Sequence, residues 1–335
     1  MSLPKSLMNH HRQQGFTYIE MMLSVVITGL IMLALMGLVN TATEAGDNVR
    51  SSNDLARQAR FAMQRMVRYA GHSRKLMLPL RDNPASNWPE NIREQTVPAS
   101  APIGDSTLAT AVLAVTLPAF VDLDQDGYPD ADDDEDGRID EDLPNDVTHD
   151  FFPGIMGIDD DGDGLVDENP SDWWDDDEYL GIVNEDPLNG IDDDGDNNID
   201  EDPPSDNNGD NCPGLCGVDD DGDGSIDEGS DDDDDEDGST FDDPYDPVVY
   251  YLSGNSLIER MPARWNTDGI STPDGPVDGR DFEESVIAEN VTRLRFERLD
   301  DGTALELVDI LLELTDPDSG ESISLQTRVR IGGAL

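Results

Sequence analysis

Twenty-four residues, Phe16 to Val39, form an uninterrupted apolar run, FTYIEMMLSVVITGLIMLALMGLV, with a single charge, Glu20. The run is about as long as a helix must be to cross the hydrocarbon core of a bilayer. Lys5, Arg12, His10 and His11 precede it. Positive residues beside a first apolar segment keep that side in the cytoplasm, so everything after the run is expected outside. A secretory signal would have a shorter apolar stretch, ended by a small-residue cleavage site. Here the candidate cut comes before the stretch. A carboxylate inside a bilayer is costly unless it is paired, which makes Glu20 a functional candidate by default.

The residues Gln14-Gly15-Phe16-Thr17-Tyr18-Ile19-Glu20, followed by the apolar run, resemble the processing site of type IV prepilins and type II secretion pseudopilins. In those families a membrane-embedded prepilin peptidase cuts after the glycine and the new N-terminal residue is methylated. The resemblance implies a leader over residues 1–15, a cut between Gly15 and Phe16, and Glu20 as fifth residue of the mature chain, meeting the N-terminal amine of a neighbouring subunit during assembly. The implied partners are other pilin or pseudopilin subunits, the prepilin peptidase and a bacterial inner membrane crossed once, with the C-terminal domain in the periplasm until assembly. The plainer alternative is a signal anchor with an incidental glutamate.

Beyond the membrane the helical pattern continues. Ala45, Val49, Ser52, Ala56, Ala59, Met63, Met66 and Ala70 recur at steps of three and four and draw one stripe along a helix. Arg50, Arg57, Arg60, Gln64 and Arg68 take other faces, and Gly71 fits a stop. The expected helix spans residues 16–71, roughly 80 Å at 1.5 Å per residue. The stripe fits packing on the chain's own sheet or on a coiled-coil partner, and the pilin resemblance favours the former.

After a link rich in Pro and Asn (Leu78 to Pro102), Leu108 to Leu117 reads as a buried strand ended by Pro118. Val248 to Leu252 and Ser256 to Met261, joined through Ser253-Gly254-Asn255, read as a hairpin. Val286 to Leu299 reads as one further strand. Asp300-Asp301-Gly302 is a turn signal, and Val308 to Leu314 and Ile323 to Ile331 complete a half-buried antiparallel meander. The expected class is α+β: a long N-terminal transmembrane helix on an antiparallel head made of residues 72–119 and 248–335. Such a helix and sheet resemble the J-type minor pseudopilin and W-type minor pilins, with Gln64 to Gly71 and Val286 to Phe296 carrying most of that likeness.

Residues 120–247 interrupt the head and hold most of the charge. The whole chain has 77 acidic and 20 basic residues, a net charge of −57; this stretch contains 52 of the acidic residues and one basic residue, Arg138. Such an excess repels nucleic acid and anionic lipid, so no nucleic-acid partner is expected and cations are the natural ligands. Three near-copies run from Gly157 to Glu168, Gly190 to Glu201 and Gly217 to Glu228. Counting the first ligand as position 1, aspartates recur at positions 1, 3, 5 and 9: Asp159, Asp161, Asp163 and Asp167; Asp192, Asp194, Asp196 and Asp200; Asp219, Asp221, Asp223 and Asp227. Two upstream matches are Asp122, Asp124, Asp126 and Asp130, then Asp132, Asp134, Asp136 and Asp140. Alternate carboxylates on a tightly turning loop converge, and a hard cation taking about six to eight oxygens fits there. Position 6 is glycine except for Asn197, and the aliphatic at position 8 is expected to pin each loop to its neighbour. The loops resemble the calcium loops of thrombospondin type 3 and dockerin repeats, which implies Ca2+ as the ligand. The bidentate Glu of an EF-hand at position 12 is replaced by Pro170, Pro203 and Ser230. A solvated acidic tract is the alternative, and Asp231 to Asp237 reads as plain linker. Without cations the insertion is expected to order only on binding.

Cys212 and Cys216 lie four apart in Cys-Pro-Gly-Leu-Cys, which a turn closes into a disulfide loop in an oxidising compartment; free thiols are the alternative, and zinc would need two more ligands. His10, His11, His72 and His149 form no pattern. No nucleophile–base pair or phosphate loop is evident, so a structural subunit, a minor pilin or pseudopilin, is expected rather than an enzyme. The rivals are a calcium-dependent adhesin that borrows a pilin-type anchor and, further off, a metal-dependent hydrolase.

Overall fold

The computed structural model describes residues 18–81, 89, 91–97, 111–122, 127, 129–131, 139–140, 147–152, 154–160, 166–167, 211–213, 216–217, 225–227, 229–230, 245–263, 282–299, 306–317 and 319–332. The chain separates into two compact units, residues 1–53 and 54–335. One helix, α1 (Tyr18–His72), enters both. Its end is fixed locally: the Ser73 amide and hydroxyl both donate to the Tyr69 carbonyl, at 2.9 and 2.7 Å, one residue beyond the glycine stop read from sequence.

Among the described residues of the second unit the helix is followed by nine strands: β1 (Leu76–Leu78), β2 (Ile92–Thr96), β3 (Val112–Thr116), β4 (Pro247–Ser253), β5 (Ser256–Pro262), β6 (Phe282–Ala288), β7 (Val291–Leu299), β8 (Leu307–Thr315) and β9 (Ser322–Arg330). They form two antiparallel sheets, one ordered β1-β3-β4-β5-β6 and the other β2-β7-β8-β9. The chain is therefore α+β, with a helix and antiparallel sheets as expected, but the head has two sheets where one meander was read.

Val286 to Leu299 is not one strand. The chain turns at Glu289 and Asn290, the latter at φ 60°, and β6 and β7 belong to different sheets. Asparagine tolerates this left-handed backbone better than most residues, so the break has a local cause. β2 lies inside the stretch read as a link. It is short and polar, and it is held by the ladder to β7 and by Arg293, whose Nε donates to Glu94 at 2.7 Å. The β4–β5 hairpin matches its sequence pattern. Gly254, at φ 65°, takes the first central position of a two-residue turn, where glycine is demanded.

The core lies between the second half of α1 and the two sheets. Leu55, Ala59, Ala62, Met63, Met66, Tyr69 and Ala70 pack with Leu113, Val115, Val248 and Tyr250 of one sheet and Leu294, Phe296, Ile310 and Leu312 of the other. The seam is wider than the stripe read from sequence. It adds Leu55, Ala62 and Tyr69 and leaves Ser52 exposed and Ala56 half-buried. Side chains at i, i+3, i+4 and i+7 together cover the broad face that a helix on a sheet must bury, whereas a single ladder of steps covers only a coiled-coil seam.

β3 is buried along its whole length because both of its faces are covered. Leu113 and Val115 meet the helix, whereas Val112 and Ala114 pack with Val249, Leu78, Ile155 and Ile158. The last two come from the acidic insertion. Residues 117–246 thus fill the connection between two paired strands, β3 and β4, and the ends are drawn together where the Leu117 amide donates to the Asp246 carbonyl at 2.8 Å and the Tyr245 amide to the Val147 carbonyl at 2.7 Å.

Candidate membrane anchor and cation-binding insertion

Among the described residues one helical segment is long and apolar enough to cross a membrane, Tyr18–Gly37, with mean hydropathy 2.3. Its side chains have no protein core to enter. Ile19, Leu23, Val26, Leu30 and Leu33 are 58–77% exposed, and burying each in an apolar phase would contribute about 1.5–3 kcal/mol. Two hydroxyls in the span are satisfied within the helix: Ser24 Oγ donates to the Met21 carbonyl at 2.9 Å and Thr28 Oγ1 to the Ser24 carbonyl at 2.7 Å. That is the arrangement a lipid phase requires. Glu20 sits in the first turn, at the end where the helix dipole favours a negative charge. Gly15 and Phe16 lie outside the described residues.

Of the aspartates singled out by spacing, Asp122, Asp130, Asp140, Asp159, Asp167 and Asp227 are described. Asp124, Asp126, Asp132, Asp134, Asp136, Asp161, Asp163, Asp192, Asp194, Asp196, Asp200, Asp219, Asp221 and Asp223 lie outside the described residues. Among the described residues no group of three or more His, Cys, Asp or Glu side chains comes together to hold a metal.

Two of the near-copies close in the same way. The Gly157 amide donates to Asp167 Oδ1 at 2.8 Å, and the Gly217 amide donates to Asp227 Oδ1 at 2.6 Å. In each case the position-9 aspartate closes the loop onto the glycine two places before position 1. Asp140, Asp167 and Asp227, all at position 9, adopt φ 52°, 50° and 55°, a left-handed backbone that short polar side chains adopt more readily than others. Gly127, at position 6, has φ 105° and needs its missing side chain there. Burial raises the Asp167 carboxyl above its ordinary range, opposed by the Gly157 amide. Asp130, Asp140 and Asp159 are 3, 1 and 5% exposed.

Position 8 pins the head in one described match, where Ile139 is half-buried against the core cluster, and not in two others. Val166 and Ile226, at position 8, are 51 and 57% exposed. The residue immediately before position 1 is buried: Val121 at 6%, Ala131 at 0% and Ile158 at 6%. The signal was in the sequence, because all five matches carry an apolar residue there, including Ile191 and Val218. An apolar side chain at the loop entrance can reach the head, as Ile158 does against β3 and β4.

Three arginines that spacing did not single out hold the insertion to the head. Arg93 on β2, with no exposed surface, donates through Nη1 to the Asp160 carbonyl at 2.5 Å and through Nη2 to the Asp159 carbonyl. Arg260 on β5 donates through Nη1 to the Met156 carbonyl at 2.6 Å and stacks over Phe282 at 3.6 Å. Burial lowers its pKa, and Asp150 and Asp160 oppose that. Arg74, just past α1, donates to the Ile139 carbonyl and, at 2.9 Å, to that of Asp140. Asp150, fully buried, accepts from the Phe152 and Met156 amides at 2.9 and 2.7 Å. Cys212 and Cys216 are joined in a disulfide, their Cα atoms 5.2 Å apart.

No curated protein and no solved structure matches the chain. Residues 10–36 match the family model described as the prokaryotic N-terminal methylation motif, over the stretch that holds the expected leader boundary, Glu20 and most of the apolar helix. At this level of description the chain carries a prepilin-type N-terminal motif of the type IV pilin kind and an apolar helix fit for anchorage in a membrane.

Proposed function

We propose that the protein is a minor pilin or pseudopilin, a structural subunit of a type IV pilus or type II secretion filament, cut after Gly15 and anchored in the inner membrane with its head in the periplasm. The observation that carries this reading is the coincidence of the methylation motif at residues 10–36 with one acid, Glu20, in the exposed apolar span Tyr18–Gly37. An intramembrane carboxylate invites a positive partner. The N-terminal amine created by the cut in a neighbouring subunit is a partner of the right charge and depth.

The insertion serves in this reading as a surface module stabilised by Ca2+. Support comes from the donor chemistry, carboxylates with hard oxygens at repeated spacing, and from loop closure that recurs at Asp167 and Asp227. Asp159, Asp161, Asp163 and Asp167, with their counterparts in the other copies, would hold the ion. A membrane-tethered calcium-dependent adhesin with a pilin-type anchor is the second reading, favoured by the dominance of the acidic insertion in the charge.

Shearing distinguishes the two. In cells carrying the assembly machinery, wild-type protein is expected in the sheared filament fraction, and Glu20→Leu protein is expected to remain in membranes at a similar total amount. Wild-type protein confined to membranes, with no filament recovered, would favour the tethered adhesin.

A further inference from the structure

Within the second unit, the face of α1 turned away from the core carries charge. Asp54, Arg57, Phe61, Gln64, Arg68 and His72 recur at steps of three and four and draw one ridge opposite the buried seam, with Arg60 beside it. All seven residues are exposed. Phe61, 51% exposed, sits mid-ridge with arginines on both sides. Asp54 accepts from Arg57, but their side chains are 56 and 78% exposed, so water screens the pair and the ridge as a whole stays basic. An exposed aromatic among arginines is the composition enriched where proteins meet one another.

One end of the ridge already carries a residue from the insertion. The Arg68 guanidinium lies over the Phe120 ring at 4.4 Å, and His72 meets that ring edge-on with centroids 5.2 Å apart. Two residues further on, Asp122 is exposed at the start of the acidic stretch. Charge complementarity then names the occupant for the rest of the ridge. Residues 120–247 hold 52 acidic residues and one basic residue, whereas acids and bases nearly balance in the remainder of the chain. Phe61 keeps half its surface in the single chain, so the acid that covers it must come from another copy. Two whole chains repel at long range, but physiological salt screens that repulsion beyond about 8 Å. What decides the contact is the charge on the two faces that meet.

We propose that the basic ridge of α1 in the head, centred on Phe61, is a docking surface for the acidic insertion of a second copy of this chain. Ridge and insertion are different faces, so the contact is heterologous: each copy offers one of each, and copies add one after another instead of only pairing. The contact needs no bound cation and does not depend on cleavage at Gly15.

The test uses the full chain in micelles of an uncharged detergent, in a chelator, with a second copy as the probe. Protein carrying a photoreactive residue in place of Gln64 is mixed with isotopically labelled protein and irradiated at low ionic strength. Mass spectrometry is expected to find the α1 peptide joined to labelled peptides from residues 120–247. Arg57→Gln with Arg60→Gln should cut that yield about tenfold. Arg328→Gln with Arg330→Gln, an equal change of net charge on β9, should leave it near the starting level, and melting curves establish that both variants are folded. Phe61→Ala should lower the yield as well, which attraction by net charge alone would not produce. Adducts to unlabelled insertion peptides only would mean that the chain's own insertion takes the ridge. Adducts to the span or head of the labelled copy, or no labelled adduct, would mean that the insertion does not dock there. Each of these results overturns the proposal, as does an equal loss in the ridge and β9 variants.

Discussion

Glu259 shows what a single polar residue can do in this head. It is 2% exposed, yet Arg65 of α1 grips it side-on, Nε to Oε2 at 2.6 Å and Nη2 to Oε1 at 2.5 Å, and Tyr250 donates its hydroxyl at 3.0 Å. The carboxylate hydrogen bond and charge raise the Arg65 pKa. Replacing Arg65 with methionine leaves a buried charge without its countercharge, and thermal or denaturant unfolding should register a loss of about 3 kcal/mol. The double change with Glu259→Met should cost clearly less than the two single changes summed, as neighbours in one network do. Burial, then Glu259, holds the Tyr250 hydroxyl well above its ordinary pKa. Because the folded value lies above the unfolded one, the stabilisation is complete below about pH 10 and is lost as pH rises through the folded value. Melting temperature should hold from neutral pH to about pH 10 and drop above it, less steeply in Tyr250→Phe; the same slope in both proteins would remove Tyr250 from the account. At this scale the sequence was legible where chemistry repeats or stands alone. Glu20 stood out against an apolar run, and the aspartates stood out by spacing. Arg93 and Arg260 did not, because their carbonyl partners lie 67 and 104 residues away and a lone arginine in a polar strand carries no local mark of what it will meet.

The elements were readable to the extent that local pattern decided them. The apolar helix, the β4–β5 hairpin and the alternating β9 followed from periodicity and turn residues, and the continuous apolar run of β3 pointed to burial on both faces. β2 escaped because its five residues, Ile-Arg-Glu-Gln-Thr, carry no strand pattern and owe their place to β7. The split between β6 and β7 escaped because one left-handed asparagine redirects the chain to another sheet. The residue before position 1 was overlooked as a pin for a related reason: apolar residues recur there and at position 8, and tertiary packing buries the earlier one at Val121, Ala131 and Ile158 while using position 8 at Ile139 and leaving Val166 and Ile226 exposed. That selection gives a direct comparison. Ile158→Ala removes a side chain buried against β3 and β4 and should lower unfolding free energy by about 2 kcal/mol or more. Val166→Ala, at an exposed site, should stay within about 0.5 kcal/mol of wild type. Equal effects in urea titrations would mean that the two registers share the anchoring.

For the whole molecule, the position of the insertion explains how a fold tolerates so much chain. It fills the connection between adjacent strands, and because closure entropy grows only with the logarithm of length, stretching a short hairpin loop to residues 117–246 costs about 3 kcal/mol. Contacts from Ile155, Ile158, Arg93 and Arg260 offset that cost. Charge is the harder problem, with 52 acidic residues against one arginine in the stretch. Monovalent salt only screens such repulsion, whereas bound Ca2+ removes it. Light scattering on the full chain in micelles should therefore show a smaller hydrodynamic radius in millimolar Ca2+ than in NaCl of equal ionic strength; identical radii would mean screening without binding. The pilin-like reading itself turns on the first residue of the mature protein. Mass spectrometry of chain purified from cells with active prepilin peptidase is predicted to find an N-terminus at Phe16 bearing one methyl group, with residues 1–15 gone. A chain that still begins at Met1 in those cells would contradict it.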